Sequence, residues 1–176
     1  MFKQIPEVLI SKERIAARVA ELGAQISEDY KGKDLLMVGA LKGSVVFMSD
    51  LMRAVSVPMS IDFITASSYG SGVNTSGVVK IVQDITQDIA GRDVLIVEDI
   101  LDTGTTLNRL TGILLERRPK SLKLAALLEK PSRKKMNIQA DYVGFTIPNV
   151  FVVGYGLDFN ELYRNLPYVG ILNGEE

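Results

Sequence analysis

Two segments of this chain are apolar at almost every consecutive position: residues 34–41 read DLLMVGAL and residues 93–97 read DVLIV. A strand with one wet face alternates apolar and polar residues. A run without alternation must be covered on both faces, as in a parallel sheet with helices on either side. Helical spacing surrounds these runs. Residues 11–30 fit a helix with Ser11 as N-cap, Ile15, Val19, Leu22 and Ile26 on one face, and Gly32 as its stop. Gly43 opens a second helix with Val46, Phe47 and Leu51 inward, and residues 105–117 form a third around Leu107, Leu110, Ile113 and Leu114. Further strands are expected at 58–64, 78–83, 121–128, 142–145 and 150–153. The pattern predicts an α/β fold, a central parallel sheet flanked by helices, as one domain over residues 1–176. The terminal segments should pack over the sheet rather than extend it.

The available chemistry is bounded by what is missing. There is no cysteine and no histidine among the 176 residues. Disulfides, zinc-thiolate sites, cysteine nucleophiles, Ser-His-Asp triads and histidine-ligated metals are therefore excluded. Carboxylates, cations, hydroxyls and backbone amides remain, a set suited to phosphates with magnesium on oxygen ligands. A net charge of −1 gives no nucleic-acid footprint. The triplet Arg133, Lys134 and Lys135 reads as a solvated turn. No apolar run approaches the ~20 residues of a membrane span, and residues 1–7 lack a signal-peptide core. A cytoplasmic protein without membrane partners is expected.

The densest chemistry lies in residues 94–107, VLIVEDILDTGTTL. An apolar strand ends in Glu98 and Asp99. Asp102, Thr103, Gly104, Thr105 and Thr106 then lead into a helix. In open parallel α/β sheets, ligands bind beyond the carboxyl ends of the strands. Gly104 permits unusual dihedrals and close approach to a ligand. The amides of 103–106 would form an anion site at a helix N-terminus, with threonine hydroxyls as added donors. Glu98 and Asp99 could take sugar hydroxyls or metal-bound water, and Asp102 could move a proton. A plain capped helix, with Asp102 or Thr103 as the cap, accounts for one or two of these residues but not for three acids around a Gly-Thr loop. Neither G-x-x-x-x-G-K-[ST] nor a post-strand G-x-G-x-x-G is present. Residues 65–77 (TASSYGSGVNTSG) are small and hydroxylated, and read either as a plain surface loop or as a lid.

The segment VLIVEDILDTGTTL resembles the signature of the type I phosphoribosyltransferases, which bind phosphoribosyl pyrophosphate (PRPP). Leu41-Lys42-Gly43-Ser44, Ser68-Tyr69-Gly70, Leu128-Glu129-Lys130, Asp141-Tyr142-Val143-Gly144-Phe145 and residues 153–164 (VGYGLDFNELYR) follow in order, over roughly residues 35–172. Together they are similar to the hypoxanthine (hypoxanthine-guanine) branch. The resemblance implies the type I fold with a small hood from the terminal segments. It implies transfer from PRPP to N9 of a 6-oxopurine, with Mg2+, by a homodimer or homotetramer. It places Glu98 and Asp99 on the ribose hydroxyls, Asp102 as general acid/base near purine N7, and Thr103, Gly104, Thr105 and Thr106 on the 5′-phosphate. It gives Lys130 to the exocyclic O6, Tyr142 to stacking on the base and the Val143 main chain to the base edge. Lys42, Gly43 and Arg164 would take pyrophosphate. Asp158 would hold magnesium, with Glu98 and Asp99 as further metal candidates. Ser68 and Tyr69 would close as a lid that excludes water. The Leu41–Lys42 peptide is often cis in such proteins. Two other readings stay open: the same chemistry on xanthine, and a PRPP-sensing regulator without catalysis.

Overall fold

The computed structural model describes residues 6–68 and 79–173, with the side chain of Ser68 excepted. In chain order the elements are β1 (Glu7–Ile10), α1 (Lys12–Asp29), β2 (Leu35–Ala40), α2 (Val45–Ala54), β3 (Met59–Ser68) and β4 (Val79–Gln83). They continue with β5 (Asp93–Leu101), α3 (Thr105–Leu115), β6 (Ser121–Glu129), β7 (Tyr142–Thr146), β8 (Val152–Val153) and β9 (Val169–Ile171). Six strands form the central sheet in the order β4-β3-β2-β5-β6-β7. All its pairings are parallel except β3 with β4.

The unbroken apolar runs are covered on both faces. Leu35, Met37, Leu95 and Val97 join Phe47, Met48 and Leu51 of α2 and Ile15, Val19, Leu22 and Ile26 of α1. The alternate residues Leu36, Val38, Val94 and Ile96 join Leu107, Leu110 and Leu114 of α3. Successive strand side chains point to opposite faces, so one run feeds two cores. Ser11 caps α1 as expected, its hydroxyl accepting from Arg14 N at 3.2 Å. Ile113 is half-buried rather than inward, and α2 begins two residues after Gly43.

Three features differ from the sequence reading. β5 does not end at its acids but pairs with β6 as far as Leu101. β3 runs four residues beyond Ile64. The hood is itself a three-stranded antiparallel sheet, β1-β9-β8, whose strands are too short to show a period. Among the described residues no helix is long and apolar enough to cross a membrane.

The strand order locates the site. From β2 the chain winds outward to β3, then returns to place β5 on the other side of β2. The loops after β2 and β5 therefore diverge, and such a switch point leaves a crevice at the carboxyl edge of the sheet.

Candidate active site

A cavity of about 380 Å³ opens at that crevice. Lys42 and Gly43 enter from the loop after β2. Glu98, Asp99 and Asp102 come from β5 and its loop, and Asp158 and Arg164 come from the hood.

One wall is the turn from β5 into α3. Gly104 has φ +79°, which L side chains rarely adopt, and a Cβ there would lie 2.6 Å from Ile138 Cγ2. Gly104 occupies the N-cap position and supplies no side-chain cap. The remaining local bond is long, Thr105 N to Thr103 Oγ1 at 3.4 Å. The first amides of α3 thus stay open to an anion, in line with the helix dipole. Asp102 does not cap the helix.

The floor is acidic. Burial pushes the Glu98 carboxyl well up, and the adjacent Asp99 charge pushes it further. Asp99 is also raised by burial, against its hydrogen bond from Ile100 N at 2.7 Å and the nearby Arg164 charge. Lys42 follows a cis Leu41–Lys42 peptide. Its Nζ lies 2.9 Å from Glu161 Oε2. Arg164 donates to Gly156 O at 2.7 Å, pairs with Asp158 Oδ1 at 2.9 Å and stands 3.5 Å from Glu161 Oε1. Asp158 Oδ2 accepts from Glu161 N at 2.9 Å. Among the described residues no three acidic groups converge as a ready metal cage. The oxygen donors do fit magnesium, which takes one or two protein carboxylates and completes its shell with water and phosphate.

Asp102 lines the cavity, and two cations outside its lining, Arg133 and Lys130, act on it. Asp102 Oδ1 accepts from Arg133 Nε at 2.9 Å. Lys130 is only 7% exposed, and its ammonium has no hydrogen bond or ion pair among the described residues. Burial lowers its pKa, Asp102 opposes that shift and Arg133 reinforces it. The triplet at 133–135 is a largely exposed turn, as expected, but its side chains are not free of partners. Lys134 pairs with Glu129 at 3.2 Å, and Lys135 N donates to Thr103 O at 2.9 Å.

The phosphoribosyl transferase domain family matches residues 9–160 of the chain. The chain belongs to this family. It is 54% identical over 170 residues to the hypoxanthine phosphoribosyltransferase of Escherichia coli K12, covering 96% of each chain. It is 51% identical over 175 residues to the hypoxanthine-guanine phosphoribosyltransferase of Staphylococcus aureus Mu50, covering 99% of this chain and 98% of that one. A crystal structure of a hypoxanthine phosphoribosyltransferase from S. aureus superposes with a TM-score of 0.92 at 53% identity, over 94% of this chain and 90% of that one. These likenesses place the chain in the hypoxanthine (hypoxanthine-guanine) branch, with the type I fold.

In this phosphoribosyltransferase the residues expected for phosphate, ribose and pyrophosphate share one cavity, which Thr103, Thr105 and Thr106 also line. Lys130 stands close enough to Asp102 for the charges to interact. Tyr142 and Val143 do not join them. Tyr142 is 2% exposed in the α1-side core, and its hydroxyl donates to Asp29 Oδ2 at 2.6 Å. The Val143 carbonyl accepts from Arg18 Nη2 at 2.7 Å. The buried Tyr142 ring has no face open to a base, so that expectation is corrected; Val143 is absent from the cavity lining, and the structure does not bring its main chain to the site. Ser68 ends β3, but its side chain and all of Tyr69 lie outside the described residues. Three side chains have surroundings that the sequence did not signal: Arg133 pairs with Asp102, Glu161 with Lys42 and Arg164, and Phe151 is exposed. Phe151 is 41% exposed, past the carboxyl end of β7, with its ring edge-on to Phe159 at 5.8 Å. An apolar stretch gives no sign of which ring is exposed.

Proposed function

We propose that the chain is a purine salvage enzyme that transfers the 5-phosphoribosyl group from PRPP to N9 of hypoxanthine, and of guanine, releasing pyrophosphate. The observation that carries this is the open amide cradle of α3 one residue beyond Asp102, with Lys130, which has no side-chain partner among the described residues, close enough to feel the Asp102 charge. The amides and hydroxyls of 103–106 take the 5′-phosphate. Glu98 and Asp99 accept from the ribose hydroxyls. Lys130 donates to O6 of the base; a cationic donor selects a carbonyl and rejects the amino group of adenine. Phe151, rather than Tyr142, offers its ring to the base.

Lys42 and Arg164 hold the departing pyrophosphate while N9 attacks the anomeric carbon. Asp102 accepts the N7 proton as charge moves through the ring, a step of ~10²–10⁴ in rate. Glu98, Asp99 and Asp158 would hold a magnesium ion, which when bound neutralises pyrophosphate charge. A cytoplasmic homodimer or homotetramer completes the proposal.

The experiment is nucleotide formation from PRPP with hypoxanthine, guanine, xanthine and adenine, each with and without magnesium. Magnesium-dependent product from hypoxanthine and none from adenine is expected. No product from any base, with PRPP still bound, would leave a PRPP-binding regulator as the reading.

A further inference from the structure

Two cations feel the charge of Asp102, and it pairs with only one of them. Arg133 Nε holds its Oδ1 at 2.9 Å, while Lys130, set alongside by its backbone N donating to Leu101 O at 3.0 Å, makes no side-chain hydrogen bond or ion pair among the described residues. A cation on a mostly covered side chain gains from a carboxylate partner, and Asp102, whose charge already acts on Lys130, is available as one. Arginine competes well for that carboxylate, because its planar guanidinium is pre-organised and weakly hydrated.

The backbone holds Arg133 in place for this pairing. Pro131–Arg133 form one 3-10 turn directly after Lys130, and Arg133 N donates to Lys130 O at 3.0 Å. The turn is tied on both sides. Lys135 N donates to Thr103 O at 2.9 Å, next to Asp102, and Lys134 pairs with Glu129 at 3.2 Å.

We propose that Arg133 is a positioning residue that keeps Asp102 away from Lys130, so that the lysine stays free for O6 of the purine. The inference rests on the base-recognition role given to Lys130 above. Arg133 touches no substrate in this scheme. It acts by occupying the one carboxylate that would otherwise neutralise the lysine.

The test is Arg133→Gln. Steady-state kinetics should show KM for hypoxanthine rising about three- to fivefold, the upper scale of one exposed ion pair. KM for PRPP should stay within about twofold, because a change confined to Lys130 leaves the phosphate contacts intact. Arg133→Lys should restore most of the loss. Calorimetric binding of inosine 5′-monophosphate gives a readout independent of turnover. Arg133→Gln should weaken that binding, but not further in an Asp102→Asn background, where no carboxylate competes for Lys130. Additive losses in the double variant, or equal rises in both KM values, would overturn the proposal. A wild-type protein that neither forms nor binds the nucleotide would overturn the transferase reading beneath it.

Discussion

Gly43 packs directly against the carboxylate of Asp99, so closely that a Cβ at position 43 would overlap Asp99 Oδ2. Asp99 has little room to yield, since Ile100 N anchors its other oxygen at 2.7 Å. The turn cannot retreat freely either, because Gly156 packs against the carbonyl of Gly43. Gly43→Ala must therefore displace the acid or the loop that carries Lys42. A shift of ~1 Å in a positioning group costs on the order of 10²-fold in rate. Steady-state kinetics should show kcat/KM for PRPP falling by that order with the circular dichroism spectrum unchanged. Activity near wild type would show that the contact is slack.

Tyr142 and Phe151 should behave oppositely. Tyr142 is a core residue whose hydroxyl is bonded to Asp29, so Tyr142→Phe should cost about 1–2 kcal/mol of stability. KM for the base should not change. Phe151→Ala removes an exposed ring and should leave the melting temperature nearly unchanged. Its KM for the base should rise about tenfold, the value of one aromatic stacking contact. Thermal melts and base titrations on both variants separate the roles. A base KM that responds to Tyr142→Phe and not to Phe151→Ala would restore the assignment that the structure corrects.

This pair also shows where the sequence was legible. The sheet could be read because runs such as LLMV and VLIV leave no polar face, and only a doubly covered strand tolerates that. The cradle could be read because Gly104 and its threonines are adjacent in the chain and their chemistry is local. Exposure is not local. Tyr142 and Phe151 both sit in apolar stretches, and only the packing of α1 against β7 buries one of them. Arg133 was missed for the same reason: its partner Asp102 is 31 residues away, and an exposed basic turn gives no sign of a partner so distant in sequence.

The opposite edge of the sheet sets an acid limit on stability. Burial alone would raise the Asp62 carboxyl, but four hydrogen bonds outweigh it and hold the group below its usual value of 3.8. The donors are Phe63 N and Thr86 N at 2.8 Å, Gln87 N at 3.0 Å and the Thr86 hydroxyl at 3.1 Å. A carboxyl lowered by folding stabilises the protein above its unfolded value, and that stability is lost as pH falls through the folded value. Asp62→Asn should therefore cost ~1 kcal/mol near neutral pH, after allowance for solvent screening at this largely open site. The gap in melting temperature should hold from about pH 7 to about pH 5 and narrow below about pH 4. A gap that widens in acid would show that the carboxyl is not held down.

Glu161 places a carboxylate where pyrophosphate is expected. Its Oε2 lies 2.9 Å from Lys42 Nζ and its Oε1 stands 3.5 Å from Arg164 Nη2, so one side chain engages both proposed pyrophosphate cations. The Lys42 contact holds the Glu161 carboxyl below its ordinary range, and Arg164 adds to that. The backbone carries residue 161 at φ +64°, next to Asn160 at +51°, so the carboxylate is presented from an unusual turn. Glu161 and Lys42 are each about two-thirds exposed, which makes the pair weak and easily displaced. A weak internal anion in this position opposes pyrophosphate binding slightly and eases its release. Glu161→Gln should lower the inhibition constant of pyrophosphate and KM for PRPP by about two- to fivefold, the scale of one exposed ion pair. Added salt should shrink the difference, since screening acts on both charges. Product inhibition at two ionic strengths measures it. A rise in KM for PRPP would mean instead that Glu161 orients the two cations, and that the contact aids binding rather than competing with it.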